Sequence, residues 1–512
     1  MEEYSFILTA FAAGMATVFT ASVFSAMMVG IVAGMVVGLI PGLGGLVAHI
    51  LLIPFALQMD PLPAFAMLLG VYAVTSQTDS IPAVLLGVPG TAAALATSLD
   101  GYPMAKRGEA GRALSASYFA SILGTIVATA IFIAFLPLLR ALVMNFSSPE
   151  FFTMVILGLV MAASLSGTSQ ARGLLMAGLG LILSTVGQAP GTGDPRFIGP
   201  FLYLWEGIPL IPVLLGLFGV PEVIDLAARN TTIAQTSAAK KISGLKNGFV
   251  DCVRNWWLVV RCSAIGVVTG FIPGLGGAVA EWMSYATAVA SDKDPSSFGK
   301  GNVRGVIAPE TGTASHKPGA IIPTVAFGVP GNPAMAVLIV VFVILGLRPG
   351  QEMLTTNLDQ TFMMVNVVTV GNIVAAILAL LLQRWLVKLC FIRANILVPF
   401  VLAAMVIGAS FARLSMADLL VFTIAGLIGY VFKHLDWPRV PLVMGLILGQ
   451  IAEPYFFAAI DRYGATWLYE RPIVIVLEVI IVLTLVSGVI RRRRLQSRFG
   501  PARLKEAGPD ND

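Results

Sequence analysis

The sequence predicts an all-α polytopic membrane protein with about 10–12 transmembrane helices, since each crossing needs about 20 apolar residues. Its composition is the first reason: 57% of the 512 residues are hydrophobic and only 12% are charged, about half the charged share of a soluble domain. Long charge-free runs and an internal repeat are the other two. Together they predict two inverted repeats, each with a broken Pro-Gly helix and a re-entrant hairpin. The composition excludes a soluble globular enzyme and a disordered chain.

Charge-free runs recur along almost the whole chain. Residues 4–59 contain no Asp, Glu, Lys or Arg. This run is therefore expected to hold about two or three membrane crossings or re-entrant segments. Other such runs include 113–139 and 360–383. Four consecutive arginines, 491–494, follow the last apolar segment. Under the positive-inside rule this basic run indicates a cytoplasmic anchor rather than a nucleic-acid-binding or lipid-binding tail.

Two motifs occur twice in the same order. GLIPGLGG at 38–45 returns as GFIPGLGG at 270–277, an offset of 232 (270 − 38). IPAVLLGVPG at 81–90 returns as IPTVAFGVPG at 322–331, an offset of 241 (322 − 81). Abundant Gly and Pro alone do not explain six consecutive matches in IPGLGG. The sequence therefore predicts two related halves.

The loop charges indicate that the two halves are inverted. Residues 100–112 carry three basic residues, whereas the equivalent stretch 347–359 carries one. The stretches before the Pro-Gly motifs show the opposite bias, with none in 1–20 and five in 229–254. Equivalent loops should therefore face opposite sides of the membrane, as in many secondary transporters. The predicted organisation is as follows: a first half at 1–228, a cytoplasmic linker at 229–254, a second half at 255–490 and a basic cytoplasmic tail at 491–512.

The Pro-Gly motifs predict broken helices beside a binding site. Pro41 and Pro273 remove a backbone N–H, and the following glycines permit positive φ. Unwound backbone within a bilayer is tolerated only where it is buried in protein or lines an aqueous cavity. Close packing of helices on small residues is the structural alternative, but four breaks in two related pairs favour a site. Freed carbonyls could coordinate a cation, and the glycines assigned to that role are Gly42, Gly44, Gly45, Gly274, Gly276 and Gly277.

Polar clusters flank the second pair of motifs. Asp79 and Glu310 lie in otherwise apolar stretches, and ionisable residues at membrane depth are functional candidates. We assign them, with Thr311, to cation binding; a solvated loop at the membrane interface is the alternative. Hydroxyl groups suit both sodium and carboxylates, and Thr91 and Asn332 could cap the next helix. The predicted substrate-binding residues are Thr78, Ser80, Gly90, Thr91, Thr313, Ser315, Gly331 and Asn332. His316 and Lys317 could supply positive charge for an anion, or be ordinary loop residues.

The sequence contains no HExxH, Walker A, GxSxG or GxGxxG motif of the kind that marks an enzyme. We therefore predict no catalytic residues, no enzyme activity and no cofactor apart from Na⁺ as a coupling ion. Repeats with broken helices favour a secondary transporter. The alternative is an uncoupled membrane channel or receptor for small anions.

At these motifs the chain resembles the large membrane subunit of the bacterial tripartite tricarboxylate transporters, the TctA family. Further segments carry the resemblance: LDGYPMAKRGEAGRAL at 99–114, DPRF at 194–197, GIPLIPVLLGLFG at 207–219, FGKG at 298–301, APE at 308–310 and GLRPG at 346–350.

The resemblance implies a multi-pass protein of the bacterial inner membrane. It also implies two protein partners: a small membrane subunit and a periplasmic solute-binding protein. The system would import a carboxylate (a tricarboxylate, a dicarboxylate or a related organic anion) coupled to a cation gradient, by an elevator-like movement. No nucleic-acid partner is expected. The chain departs from the family pattern after Glu310 and after Gly90, where TGTASHKP and TAAA stand. Both departures lie where substrate would be read, so citrate itself is in doubt.

Overall fold

A computed structural model describes residues 2–39, 44–88, 91–165, 169–190, 192–228, 244–347, 349–389, 394–410 and 413–506. The chain divides into two compact units, Met1–Asn145 with Ile208–Lys433, and Phe146–Gly207 with His434–Asp512. The predicted all-α membrane architecture is confirmed, because helices dominate the described residues and many are strongly apolar.

The larger unit begins with six helices and resumes after the smaller unit's first segment. Its helices before residue 146 are α1 (Glu2–Val18), α2 (Ala21–Gly38), α3 (Gly44–Ala56), α4 (Pro61–Leu86), α5 (Leu95–Lys106) and α6 (Ala110–Val143).

The smaller unit then opens with two helices and a short antiparallel ribbon. These are α7 (Ser148–Leu165), α8 (Gln170–Ser184), β1 (Gly187–Gln188) and β2 (Pro195–Arg196).

The chain next returns to the larger unit. Its elements there are α9 (Leu210–Leu214), a π-helical turn (Leu215–Gly219), α10 (Val220–Ala228), α11 (Leu245–Arg254), α12 (Trp256–Phe271), α13 (Gly276–Ala290), α14 (Arg304–Phe327), α15 (Pro333–Ile344), α16 (Gln351–Leu354), α17 (Leu358–Leu389), α18 (Ala394–Ser410) and α19 (Met416–His434). The smaller unit closes with α20 (Arg439–Tyr463), α21 (Trp467–Glu470) and α22 (Pro472–Glu506).

By length and composition, six helices of the described chain could each cross a membrane. They are Ala21–Gly38, Ala110–Val143, Leu210–Ala228, Leu358–Gln383, Met416–His434 and Arg439–Tyr463. Shorter apolar helices, among them α3, α12 and α15, add further candidates. The count of about 10–12 crossings stays a prediction.

The second predicted break falls between two helices. Where the second Pro-Gly motif lies, α12 ends at Phe271 and α13 begins at Gly276. In the first half, α2 ends at Gly38 and α3 begins at Gly44; residues 40–43, which include Pro41 and Gly42, lie outside the described residues. Gly44 and Gly276 have similar positive φ values of 62° and 68°. A non-glycine residue would be strained there, so the glycines allow the chain to start the next helix.

The second motifs end long helices in the same way. Gly87 and Gly328 terminate α4 and α14 in the left-handed conformation, with φ values of 69° and 68°. Glycine is the usual residue at this C-terminal position. Thr91 and Asn332 then act as N-caps, accepting hydrogen bonds from the backbone of Ala93 and Met335. Residues 89–90 lie outside the described residues.

Within the larger unit, helices of the two predicted halves pack on one another. Helix α5, from the first half, packs on α13 and α14, and α15, from the second, packs on α3 and α4. Likewise α6 packs on α14, and α17 packs on α4. Glycines permit the closest approaches, because bilayer helices associate through small residues. A Cβ on Gly70 of α4 would lie 2.5 Å from the Met27 carbonyl of α2.

The smaller unit has polar links of its own. Arg471 pairs with the almost fully buried Glu150 at 2.6 Å. Arg196 of β2 makes a two-pronged contact with Glu453 of α20, at 2.5 and 3.0 Å. Bidentate pairs of this kind fix geometry as well as charge. They join the ribbon and the α7 end to the last helices of this unit.

Candidate functional site

Glu310 lies at the junction of three helices in the larger unit. Its Oε1 accepts hydrogen bonds from the hydroxyls of Ser80 on α4 (2.7 Å) and Thr97 on α5 (2.8 Å). The side chain is buried on α14 and is not in a solvated loop. A buried carboxylate is costly unless hydrogen bonds or a cation compensate it. The two hydroxyls supply part of that compensation.

Asp79 is the neighbour of Ser80 on α4 and is also buried. Its Oδ2 accepts a hydrogen bond from Thr91 Oγ1 at 2.7 Å. Its Oδ1 is enclosed and has no hydrogen-bond partner among the described residues. An unsatisfied buried carboxylate oxygen is rare in native proteins and needs an explanation. A bound cation or a proton would provide one.

Glu281 is a third carboxylate close to these two, and it was not among the residues predicted from the sequence. It is fully buried on α13, and its Oε1 accepts hydrogen bonds from the backbone N–H groups of Ala96 and Thr97, at 2.8 and 3.1 Å. These N–H groups open α5, where the helix dipole favours negative charge. Its Oε2 has no partner in the described chain. We call Asp79, Glu281 and Glu310 the acidic cluster.

Thr97 joins two members of the acidic cluster. Its backbone N–H donates to Glu281, and its hydroxyl donates to Glu310. A sequence signal for Glu281 did exist, because it ends the charge-free run 262–280 and lies 232 residues after His49 (281 − 49). The GLGG repeat places these two residues in equivalent positions. Sequence alone did not reveal that α5 would come from the other half to meet it.

A second cluster contains the opposite charge. Lys317 is buried on α14, and its Nζ donates to the Ala73 carbonyl at 2.8 Å. Asn332 Nδ2 contacts the Tyr72 hydroxyl at 2.6 Å and His316 Nε2 at 3.3 Å. Lys317 Nζ also lies 5.6 Å from the centre of the Tyr72 ring. We call Lys317, Tyr72, His316 and Asn332 the basic cluster.

A polar ladder runs from α4 to α6 and α17. Gln77 Nε2 donates to Asn372 Oδ1 at 2.9 Å, and Asn372 Nδ2 donates to Thr125 Oγ1 at 3.0 Å. Thr129 and Thr369 meet at 2.8 Å farther along α6 and α17. Hydrogen bonds between buried polar side chains fix the register of neighbouring helices in a membrane. These residues therefore position α4 and its acidic side chain.

Some of the predicted glycines lie close to residues of the second motifs. Gly274 N–H donates to the Gly331 carbonyl at 3.3 Å, which brings the break between α12 and α13 next to the GVPG segment at 328–331. In the first half, a Cβ on Gly44 would lie 3.3 Å from Thr91 Cγ2.

Three predicted hydroxyls hydrogen-bond backbone carbonyls instead of joining the acidic cluster. Thr78 donates to Thr75 at 3.2 Å, Thr311 to Ile307 at 2.7 Å, and Ser315 to Gly124 at 2.9 Å. The Thr313 hydroxyl is enclosed without a partner in the described chain. Gly45 packs against Thr75, and Gly277 against Ala93 and Thr313. Gly42 and Gly90 lie outside the described residues.

Broken apolar helices that enclose ionisable side chains define a class, the helical membrane transport proteins. The chain belongs to the tripartite tricarboxylate transporter TctA family, whose family model matches residues 24–444. It is therefore a component of a membrane transporter.

Two uncharacterised proteins of Agrobacterium vitis are similar to this chain. One, described as a 52.8 kDa protein in the TAR-I ttuC' 3' region, is 29% identical over 438 residues, which cover 84% of this chain and 86% of the relative. The other, described as a protein in the TAR-II ttuC' 3' region, is 29% identical over 210 residues, 41% of this chain and 87% of the relative. No solved structure matches.

Proposed function

We propose that the chain is the membrane permease subunit of a binding-protein-dependent secondary transporter that imports an organic carboxylate, coupled to a cation gradient. The observation that carries this proposal is the acidic cluster. Three carboxylates lie buried on α4, α13 and α14, and two of them retain an oxygen without a partner in the described chain. Enclosed negative charge of this kind favours uptake of a cation or a proton.

The acidic cluster fits a cation that must bind and leave in each cycle. Hard cations such as Na⁺ prefer oxygen ligands, and carboxylate and hydroxyl oxygens are both present around Asp79 and Glu310. Na⁺ is the coupling ion we propose, and H⁺ is the competing one. Elevator-like movement of the helices that carry the clusters is part of the proposal.

The organisation of the chain supports the same proposal. The exchange of α5 and α15 between halves fits two intertwined repeats, and we propose that they have opposite orientations in the membrane. The limits at 1–228, 229–254, 255–490 and 491–512 remain our proposed divisions. We place the protein in the bacterial inner membrane with its C-terminus in the cytoplasm. A small membrane subunit and a periplasmic solute-binding protein are the proposed partners.

Uptake into proteoliposomes tests the proposal. The chain is co-reconstituted with the small membrane subunit and the binding protein, and uptake of radiolabelled succinate, tartrate, citrate and benzoate is measured. We expect at least one acid to accumulate above its external concentration when an inward Na⁺ or H⁺ gradient is present. An ionophore that collapses this gradient should abolish accumulation. Equilibration without accumulation would instead support the uncoupled channel, and uptake of none of these acids would contradict a carboxylate importer.

A further inference from the structure

Lys317 is an unusual charge in the larger unit. Among the described residues it is the one lysine or arginine that is buried, with 3% of its surface exposed. An ammonium group has three donors, and the described chain supplies one acceptor, the Ala73 carbonyl. It forms no contact ion pair with a carboxylate of the described residues, although Asp79 and Glu310 lie close enough to attract it electrostatically. Burying a charge without a partner is expensive, so the side chain is suited to an anion from outside the protein.

The groups around Lys317 are also donors. Asn332 is the N-cap of α15, a twelve-residue helix whose N-terminus favours negative charge. The Tyr72 hydroxyl accepts from Asn332 Nδ2, which leaves its own hydrogen free to donate. His316 is 2% exposed, and its Nδ1 has no partner in the described chain. An unpartnered, buried ring nitrogen beside a helix N-terminus is a second, independent indication of a ligand.

The repeat places chemically different side chains at equivalent positions around the two clusters. The motif offset of 241 places Asn332 in the position of Thr91 (332 − 91) and Thr313 in that of Tyr72 (313 − 72). The offset of 232 places Glu281 in the position of His49 (281 − 49), whose ring lies 6.0 Å from that of Tyr72. Equivalent positions thus carry an acid in one half and an imidazole in the other. Each cluster nevertheless contains residues of both halves, with Asp79 and Tyr72 from the first and Glu281, Glu310 and Lys317 from the second.

We propose that the basic cluster anchors one carboxylate of the transported anion, through Lys317 Nζ with donors from Tyr72 and the start of α15. This inference rests on the proposed function and assigns the substrate to a place separate from the acidic cluster. Because the cluster holds one full positive charge, it neutralises one carboxylate. Organic acids with one or two carboxylates therefore fit better than tricarboxylates. Thr78 and Ser315, which bond to backbone carbonyls, are not needed as anchors.

Ligand-induced thermal stabilisation of the full chain in nanodiscs tests this site. The probes are acetate, benzoate, succinate, tartrate, citrate and sulfate, each titrated against the wild-type protein, Lys317→Met and Lys293→Met. Lys293 is exposed and provides a matched lysine control. We expect at least one mono- or dicarboxylate to raise the Tm of the wild type and of Lys293→Met. In Lys317→Met the apparent Kd for that acid should rise at least tenfold.

Two further measurements separate a ligand role from a structural one. Without ligand, the Tm of Lys317→Met should equal or exceed that of the wild type, since a buried charge is replaced by an apolar chain of similar size. Lys317→Arg, which keeps the charge, should bind more tightly than Lys317→Met. Stabilisation of the wild type by Na⁺ or by acidic pH should persist in Lys317→Met, because the acidic cluster is intact.

Failure of the Lys317 anchor can be distinguished from failure of the proposed transport function. Equal carboxylate affinity in Lys317→Met and the wild type would overturn the anchor, while gradient-driven uptake could still support the proposed function. Stabilisation by sulfate alone, or by citrate alone, would also overturn the assignment. If Lys317→Met lowers the Tm without ligand and Lys317→Arg restores it with no change in affinity, Lys317 is structural and the inference is wrong.

Discussion

The acidic cluster is arranged so that each carboxylate is only partly compensated. Glu310 receives two hydroxyl hydrogen bonds, Glu281 receives two backbone N–H groups, and Asp79 receives one hydroxyl. None of these partners carries a full positive charge. Since the interior dielectric strengthens repulsion between neighbouring like charges, the cluster should not hold three bare charges together. Under the proposed function, a proton or a metal cation enters the acidic cluster during the transport cycle and relieves this repulsion.

Removal of the charge of Glu281 tests the carboxylate that sequence reasoning missed. We expect Glu281→Gln to lower gradient-driven uptake at least tenfold, because the amide cannot supply a charged oxygen to the cation. The protein should still insert into the membrane, since the amide oxygen can accept from Ala96 and Thr97. Uptake and membrane-bound protein are measured in parallel. Glu352→Gln, at an exposed glutamate of α16, is the matched control and should transport normally.

The two other carboxylates have the same test. Asp79→Asn and Glu310→Gln should each impair coupled uptake at least tenfold while leaving the protein in the membrane. Both changes preserve shape and remove charge. Normal transport by both variants would show that the acidic cluster does not bind the coupling ion, whatever the result for Glu281.

Thr97 allows a finer test, because only its hydroxyl contacts Glu310. Thr97→Val removes that donor but retains the backbone N–H that reaches Glu281. We expect it to lower the free energy of unfolding by about 1–3 kcal/mol, the cost of an unsatisfied buried acceptor. Thr97→Ser keeps the hydroxyl and should lose less. Tm values of the purified variants provide the measurement; equal losses for Val and Ser would indicate a packing effect instead.

At the scale of elements, glycines set the distance between helices. Gly70 lets α4 approach the Met27 carbonyl of α2, and Gly266 of α12 lies equally close to the Gly312 carbonyl of α14, 2.5 Å from where a Cβ would lie. A glycine thus allows close packing of α4 on α2 and, in the same way, of α12 on α14. Because α4 and α14 carry the charged residues, this packing also fixes where the clusters form.

A larger residue at Gly70 should therefore separate α2 from α4. Gly70→Leu is expected to lower stability by about 1–3 kcal/mol or more, as overpacking does, and to reduce uptake because Asp79 shifts. Gly178→Leu in α8 is the matched control, since nothing lies within 4 Å of its Cβ position. Thermal unfolding of both variants in detergent is the measurement. An unchanged Tm for Gly70→Leu would contradict the close packing.

The breaks could be predicted from sequence, but the acidic cluster only in part. Pro273 lies in a real break because it is followed by glycines that take positive φ, whereas Pro82 and Pro323 lie inside helices. Local chemistry therefore identified the breaks. Glu281 and the ladder from Gln77 to Asn372 depend on contacts between distant segments, 185 residues apart for Ala96 and Glu281 and 295 for Gln77 and Asn372. No local pattern encodes those pairings.

At the scale of the molecule, packing between helices links the two proposed halves. Helix α5 of the first proposed half packs on α13 and α14, and α15 of the second packs on α3 and α4. The same relation recurs farther along the chain: α20 packs on α7 and α8 within the smaller unit, while α10 packs on α18 within the larger one. Each half therefore lacks its own partner for these faces. This is the physical reason to expect the repeats to fold only together.

The orientation of the repeats can be tested by labelling cysteines from one side of the membrane. The equivalent stretches are 100–112 and 347–359, and Lys106 at the end of α5 and Thr356 after α16 are exposed positions in them. In a background without the three native cysteines, we introduce Lys106→Cys or Thr356→Cys and treat intact cells with a membrane-impermeant maleimide.

The excess of basic residues around Lys106 places that loop in the cytoplasm under the positive-inside rule. Lys106→Cys should therefore react only after the membrane is permeabilised, whereas Thr356→Cys should react in intact cells. A cysteine in a co-expressed cytoplasmic protein controls for leakage. If both positions react from the same side, the halves are parallel, and opposite charge in equivalent loops must have another cause.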